Sequence, residues 1–415
     1  MVRLAYLLLW VFIFSVPWEG VIRVGGVSVV SRLTGVIALA ITLLAVLLTG
    51  RLRRFHALHF AAMAFVLITG VELFLLGGNN KLPSKYLTFV QLFAMMWMMW
   101  QLAPSRRALY GLMLAYIVGS YAASIGTLLM FRSEAEVLRR FAVGGVDRND
   151  LAMTLALAVP MAWYLASVYQ RPLLRLFCRA YLPVGLLALG LTGSRGGMIV
   201  AFVALTIVPL SMTKLTPARV AAAMATLVLT GVLAAVYVPE KVVQRLATTQ
   251  SDVESLSFGG RFRLWVAGLQ AFVHKPLMGY GTGGYIHAIY PMLGDQSLVA
   301  HNSYLSVLVE EGIIGFLCYS AMLLTAAVAV MKLPRPERRF AQVQLASLYL
   351  AMAPLTWEDR KSVWIILGVL VGLSQAAVSL RRPSAQAASA PLEPVPRPPR
   401  RGVLPGTRAS SGAQR

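Results

Sequence analysis

Charge is scarce in this chain, and one sign of it is scarcer still. Of 415 residues only 13% are charged, about half of the ~25% usual in soluble domains. The 16 Asp and Glu are outnumbered by 38 Lys and Arg. With 58% hydrophobic residues and a mean hydropathy of +0.70, no soluble fold of this length can bury its apolar surface, which excludes a water-soluble enzyme. Cysteine is nearly absent. Cys178 and Cys318 both fall in apolar runs, too few for a disulfide framework or a zinc site, and read as inert thiols. No Asp-x-Asp pair occurs; Glu134-Ala-Glu136 and Asp147-Arg-Asn-Asp150 match an oxygen-ligand site only weakly. No metal and no cofactor are expected. Internal repeats and a separate soluble domain are also missing.

What is present is a series of apolar runs. A membrane helix needs about 20 such residues. Twelve candidates follow: 4–18, 27–49, 57–77, 86–103, 108–131, 149–169, 177–192, 196–212, 218–238, 303–331, 340–357 and 362–380. The first is short and lacks a small-x-small cleavage site, so it is read as an uncleaved span. The expected fold is an all-α polytopic membrane protein of about 12 transmembrane helices. A membrane domain over 1–380 is followed by a Pro-, Ala-, Ser- and Arg-rich cytoplasmic tail over 381–415, too poor in apolar residues for a core.

Distribution of charge orients the spans. Alternate connections, taken with both termini, hold 22 of the 38 basic residues and only two acids, Glu337 and Glu393. The positive-inside bias places that side in the cytoplasm. The +22 net charge is therefore explained by topology and anionic lipid contact, and nucleic acid is not an expected partner. The other connections face outward. The longest, 239–302, separates spans nine and ten, and its stretch 261–275 carries Phe262, Trp265, Leu269, Phe272 and Val273 at helical spacing, which predicts an amphipathic helix at the membrane surface.

Several outward residues have chemical potential. Thr192-Gly-Ser-Arg195-Gly-Gly197 joins spans seven and eight; glycines permit close backbone approach, and an arginine fork there suits a diphosphate. A snorkelling arginine at a helix end is the other reading. Arg261 and Arg263 sit two residues apart and cannot share one helix face; Arg261 is favoured, against a solvated face drawn to lipid phosphates. His301-Asn302 stands where the long loop returns to the membrane. Histidine titrates nearest the range needed for proton transfer, though a lone loop histidine is more often polar surface, and Asn302 is readable as a helix cap. Glu72, Glu310 and Glu311 lie inside apolar runs, where acids are costly and read as functional or as members of an ion pair. Lys81, Lys85, Arg132, Arg139, Arg140 and Arg148 complete the outward cations.

Four stretches, in order, resemble the O-antigen ligase and polymerase family of bacterial envelope proteins. They are Asn149-Asp-Leu-Ala152; Thr192 to Gly197; Arg261 to Trp265 with Lys275-Pro-Leu-Met-Gly-Tyr-Gly281; and His301-Asn302 followed by Gly312-Ile-Ile-Gly315. The resemblance covers nearly the whole chain except the tail. It implies an inner-membrane glycosyltransferase with a periplasmic active site and both termini cytoplasmic. The implied donor is an undecaprenyl-diphosphate-linked O-antigen and the implied acceptor a sugar hydroxyl of the lipid A core. Arg195 and Arg261 would stabilise the leaving diphosphate, and His301 would act as general base or orient the acceptor, in an inverting, metal-independent displacement. Arg263, Asn302, Lys81, Lys85, Arg148 and Asn149 would contribute to substrate or diphosphate binding. The same resemblance admits an O-antigen polymerase or a protein O-oligosaccharyltransferase. A lipid-linked glycan transporter would call for repeats, midplane polar sites and broken helices, of which the sequence displays little.

Overall fold

Apolar runs without a polar alternate face form helices that bury themselves against one another. The computed structural model describes residues 1–24, 27–76, 82–134, 141–211 and 261–388, together with scattered positions between 217 and 232. Its helices are α1 (Val2–Ser15), α2 (Val29–Thr49), α3 (Ala57–Leu76), α4 (Leu82–Leu102), α5 (Arg106–Glu134), α6 (Arg148–Val168), α7 (Pro172–Leu191), α8 (Arg195–Leu205) and α9 (Ile207–Ser211). After the undescribed stretch come α10 (Arg261–His274), α11 (Tyr285–Leu293), α12 (Ser303–Glu310), α13 (Gly312–Met331), α14 (Arg335–Met352) and α15 (Lys361–Ala388). Two-residue strands at Arg23–Val24 and Val27–Ser28 form one antiparallel turn ahead of α2.

Seven of the described helices are long and apolar enough to cross a membrane: Val29–Thr49, Ala57–Leu75, Arg106–Ser133, Arg148–Val168, Pro172–Leu191, Gly312–Met331 and Lys361–Val378. Val2–Trp18 and Arg195–Ser211 are apolar but shorter. Helix α14 falls outside this set because its first turn holds Arg335, Glu337, Arg338 and Arg339. A multi-pass, almost entirely helical membrane protein is what these elements describe. The ninth expected span and the loop before Arg261 lie mostly outside the described residues, as do Lys81, Arg139, Arg140 and the tail beyond Ala388.

Helix α6 stands at the centre. Twelve consecutive residues, Leu151 to Ala162, are buried on every side, the pattern of a helix enclosed by others. It packs against α5, α7, α8 and α14. Met1–Ala377 form one compact unit.

The expected single span over 303–331 is corrected. The chain breaks at Glu310–Gly312, where Gly312 has φ +61°, a left-handed turn that L side chains resist. A helix break strands backbone donors and acceptors, and here the 276–281 segment meets them. Tyr280 and Gly281 donate their N–H groups to the carbonyls of Val309 (3.1 Å) and Glu310 (2.8 Å), while Ile313 and Ile314 donate to those of Pro276 (2.8 Å) and Leu277 (3.3 Å). Gly279 and Gly312 allow the approach: a Cβ on Gly279 would collide with the Glu310 carbonyl, and one on Gly312 with that of Leu277. The Pro-Leu-Met-Gly-Tyr-Gly run and the Gly-Ile-Ile-Gly run are thus two halves of one joint. Glu310 and Glu311 sit at this joint rather than inside a continuous span.

Candidate functional site

A cavity of about 600 Å3 opens among the starts of α2, α4, α6 and α11, the segment before α12 and the turn between α14 and α15. The arginine-rich connections at 51–54 and 106–107 follow the far ends of α2 and α4, so the cavity lies at the opposite end of those helices from them. Its polar lining includes Lys85, Asp147, Asn149, Glu310 and Arg360, with His301 among them.

His301 is the only non-glycine described residue with positive φ, at +47°. A bulky side chain adopts that conformation only where its surroundings impose it. Two contacts do so. The His301 N–H donates to Thr356 Oγ1 at 3.0 Å, and the preceding carbonyl, of Ala300, accepts from Trp265 Nε1 of α10 at 2.9 Å. Asn302 then caps α12, its side chain accepting from Leu305 N at 3.0 Å, as the sequence allowed. Burial lowers the His301 pKa from its usual 6.5, the nearby Arg261 charge lowers it further, and Asp147 pulls the other way. At neutral pH its imidazole is therefore an uncharged proton acceptor.

Arg261 opens α10 half-buried, while Arg263 is exposed. Burial lowers the Arg261 pKa and Asp147 opposes that shift, so Asp147 exerts its field on both Arg261 and His301. Asp147 is the cap of α6, accepting from Asn149 N at 2.8 Å and Asp150 N at 3.1 Å, the usual reason for an acid before a helix. Arg148 is half-buried beside it but outside the cavity lining.

Arg195 is half-buried in the first turn of α8, where Ser194 caps the helix through Gly197 N (3.3 Å). Gly196 and Gly197 press this turn against Met153, Ala152 and Pro354. The glycines flanking Arg195 thus serve helix packing, and Arg195 itself does not line the cavity.

Lys85 is not an open cation. Its ammonium lies 2.7 Å from Glu310 Oε2 and 2.8 Å from Glu358 Oε1. Glu310 also accepts from Gly283 N at 2.7 Å, and Glu358 from Ser306 Oγ at 2.9 Å. This network ties α4, the helix joint, the 283–285 turn and the α14–α15 turn to one wall of the cavity. Behind it, Glu72 of α3 is fully buried close to Glu311 and Thr282, but its oxygens have no hydrogen bond of proper geometry. Among the described residues no cluster of three or more His, Cys, Asp and Glu could hold a metal ion.

Two lining cations escaped the sequence reading. Arg360 pairs with Asp150 at 2.8 Å, and Trp357 Nε1 donates to the other Asp150 oxygen at 2.9 Å. The signal was available: Glu358-Asp-Arg-Lys361 is a run of four charges between two apolar helices. Arg32, exposed in the first turns of α2, is the second, and a lone arginine at a helix end gives no such signal.

A model of the family described as O-antigen ligase matches residues 180–320. That stretch is similar to the O-antigen ligase family. It contains Arg195, Arg261, Arg263, His301, Asn302 and the whole helix joint, whereas Lys85, Asp147, Asn149 and Arg360 reach the ligase-family region from outside it. An uncharacterized protein of Haemophilus influenzae is 21% identical over 272 residues, covering 59% of this chain. The chain spans 64% of that relative's length.

Proposed function

We propose that the chain is an O-antigen ligase, moving a glycan from undecaprenyl diphosphate to a sugar hydroxyl of the lipid A core on the periplasmic face of the inner membrane. The observation that carries this reading is His301, held in a left-handed conformation on the cavity wall with Arg261 in electrostatic range. Neutral His301 takes the proton of the acceptor hydroxyl as its oxygen attacks the anomeric carbon. The bond from that carbon to the diphosphate oxygen breaks, and its electron pair leaves on the diphosphate. Arg261, in electrostatic range of His301, supplies fixed positive charge where that negative charge grows, and Arg195 adds to it from the start of α8, outside the cavity lining. Attack opposite the leaving group inverts the anomeric centre. Arg263, Asn149 and Arg148 extend the polar surface toward the glycan, and Lys81, outside the described residues, is proposed from the sequence alone to bind substrate. Asn302 acts by capping α12, and Lys85 by holding Glu310 and Glu358.

Deleting the gene and examining lipopolysaccharide tests the reading. Loss of attached O-chain with polymer still on its lipid carrier supports a ligase; core bearing a single repeat identifies a polymerase instead. Complementation by Arg195→Ala, Arg261→Ala or His301→Ala should fail at normal protein levels, and near-normal transfer by all three removes the mechanism. Transfer by purified protein should persist in EDTA.

A further inference from the structure

The face of the bundle away from the cavity holds a second depression, of about 370 Å3, where α13 ends and α14 begins. Arg335, Arg338 and Arg339 line it with Gln342 and Met331, and no acidic residue is among them. The spacing explains the convergence, since residues three, four and seven apart share one helix face. Glu337, the acid of that turn, is turned to α5 instead: it is buried and accepts from Arg106 Nη2 at 3.0 Å and from the Tyr110 hydroxyl at 3.3 Å. Arg339 gives one guanidinium N–H to the Leu210 carbonyl at 2.9 Å, which anchors the fork and leaves its other donors. The start of an 18-residue helix adds the positive end of its dipole.

An apolar lane runs up to this depression. Leu317, Leu324, Val328 and Met331 are 60%, 64%, 48% and 57% exposed, and their spacing puts them on one face of α13. On a membrane-spanning helix such a face meets acyl chains. We propose that the depression binds the phosphate of an anionic membrane phospholipid, with one acyl chain lying along the Leu317–Met331 lane. Three arginine forks without an opposing carboxylate match the planar, bidentate recognition of phosphate, and basic pockets between membrane helices hold such headgroups. Arginines that merely orient the span would need charge alone and no lane. The inference is independent of the glycan chemistry.

The test is native mass spectrometry of the full chain in detergent, offered phosphatidylglycerol and phosphatidylcholine together. The wild type should retain phosphatidylglycerol preferentially. R335Q/R338Q/R339Q should lower that preference by about tenfold or more. R335K/R338K/R339K keeps the charge and the membrane orientation, so it guards against misfolding; it should retain less than the wild type because the forks are gone. R171Q/R179Q, on the same face but outside the depression, should bind as the wild type does. Unchanged retention in either triple variant, equal loss in R171Q/R179Q, or displacement of the lipid by millimolar inorganic phosphate overturns the proposal.

Discussion

Lys85 and Glu310 stand 225 residues apart in sequence and 2.7 Å apart in space, and their ion pair fastens α4 to the broken end of α12. Both groups are largely buried, at 14% and 4% side-chain exposure. Removing one partner of such a pair strands the other charge, which costs about 3–5 kcal/mol. Lys85→Met should therefore lower thermal stability sharply, as read by the unfolding midpoint of the detergent-purified chain. Glu310→Ala should do the same, and the double variant should fall well short of the summed losses. Additive losses would mean that the two side chains do not act as a pair.

The helix joint gives a sharper comparison. Gly312 and Gly50 have nearly equal φ, +61° and +63°. Only Gly312 is crowded: a Cβ there meets the Leu277 carbonyl, whereas nothing lies within 4 Å of one on Gly50. Gly50→Ala should lose about 1–2 kcal/mol, the cost of a left-handed L residue. Gly312→Ala bears that same cost and must also force the 276–281 segment away, so its stability loss should exceed that of Gly50→Ala. Equal losses in a denaturation series would show that the joint tolerates separation.

How far the sequence reveals this joint depends on the range of the interaction. Helical character and the helix at Arg261–His274 follow from local periodicity. The cap at Asn302 follows from residue type, whereas the cap at Asp147 was not read from the sequence. The break at Gly312 does not, because apolar residues continue on both sides and a single glycine in a span is ordinary. What breaks the helix is a partner some thirty residues earlier, and the hydropathy pattern carries no record of that pairing. The same holds for Lys85, whose neighbours in sequence suggest an open cation, while two distant carboxylates occupy it. The arginine at 195 shows the reverse: its glycine neighbours suggest ligand approach, yet they face Ala152, Met153 and Pro354.

The lowered pKa of His301 has a pH signature. A base must be unprotonated, so transfer should stay high at neutral pH and fall only as acidity passes through a pKa below 6.5. Arg261 contributes to that lowering and Asp147 opposes it. Arg261→Gln should consequently move the acid limb of the rate profile upward, and Asp147→Asn should move it downward, whatever each does to the maximal rate. Stability follows the same sign: in the unfolded chain His301 takes its proton near 6.5, the folded state resists it, and stability declines as pH drops from there through the folded value. An acid limb that ignores both substitutions would exclude His301 as the titrating base.

Thr356 is the residue that separates placing the histidine from making it reactive. Its Oγ1 accepts the His301 N–H at 3.0 Å and helps to hold a backbone conformation that histidine otherwise avoids. Thr356→Val keeps the shape and removes the acceptor, which should cost only about 1–3 kcal/mol of stability. Released from the left-handed turn, the imidazole would leave its position on the cavity wall. The turnover number should then fall by about tenfold to a hundredfold, since small misplacements of a reacting group are that costly, while KM for the lipid-linked donor changes little. Thr356→Ser retains the oxygen and should restore most of the rate. A serine variant as slow as the valine one would mean that the threonine methyl, and not the hydrogen bond to His301, holds this wall of the cavity.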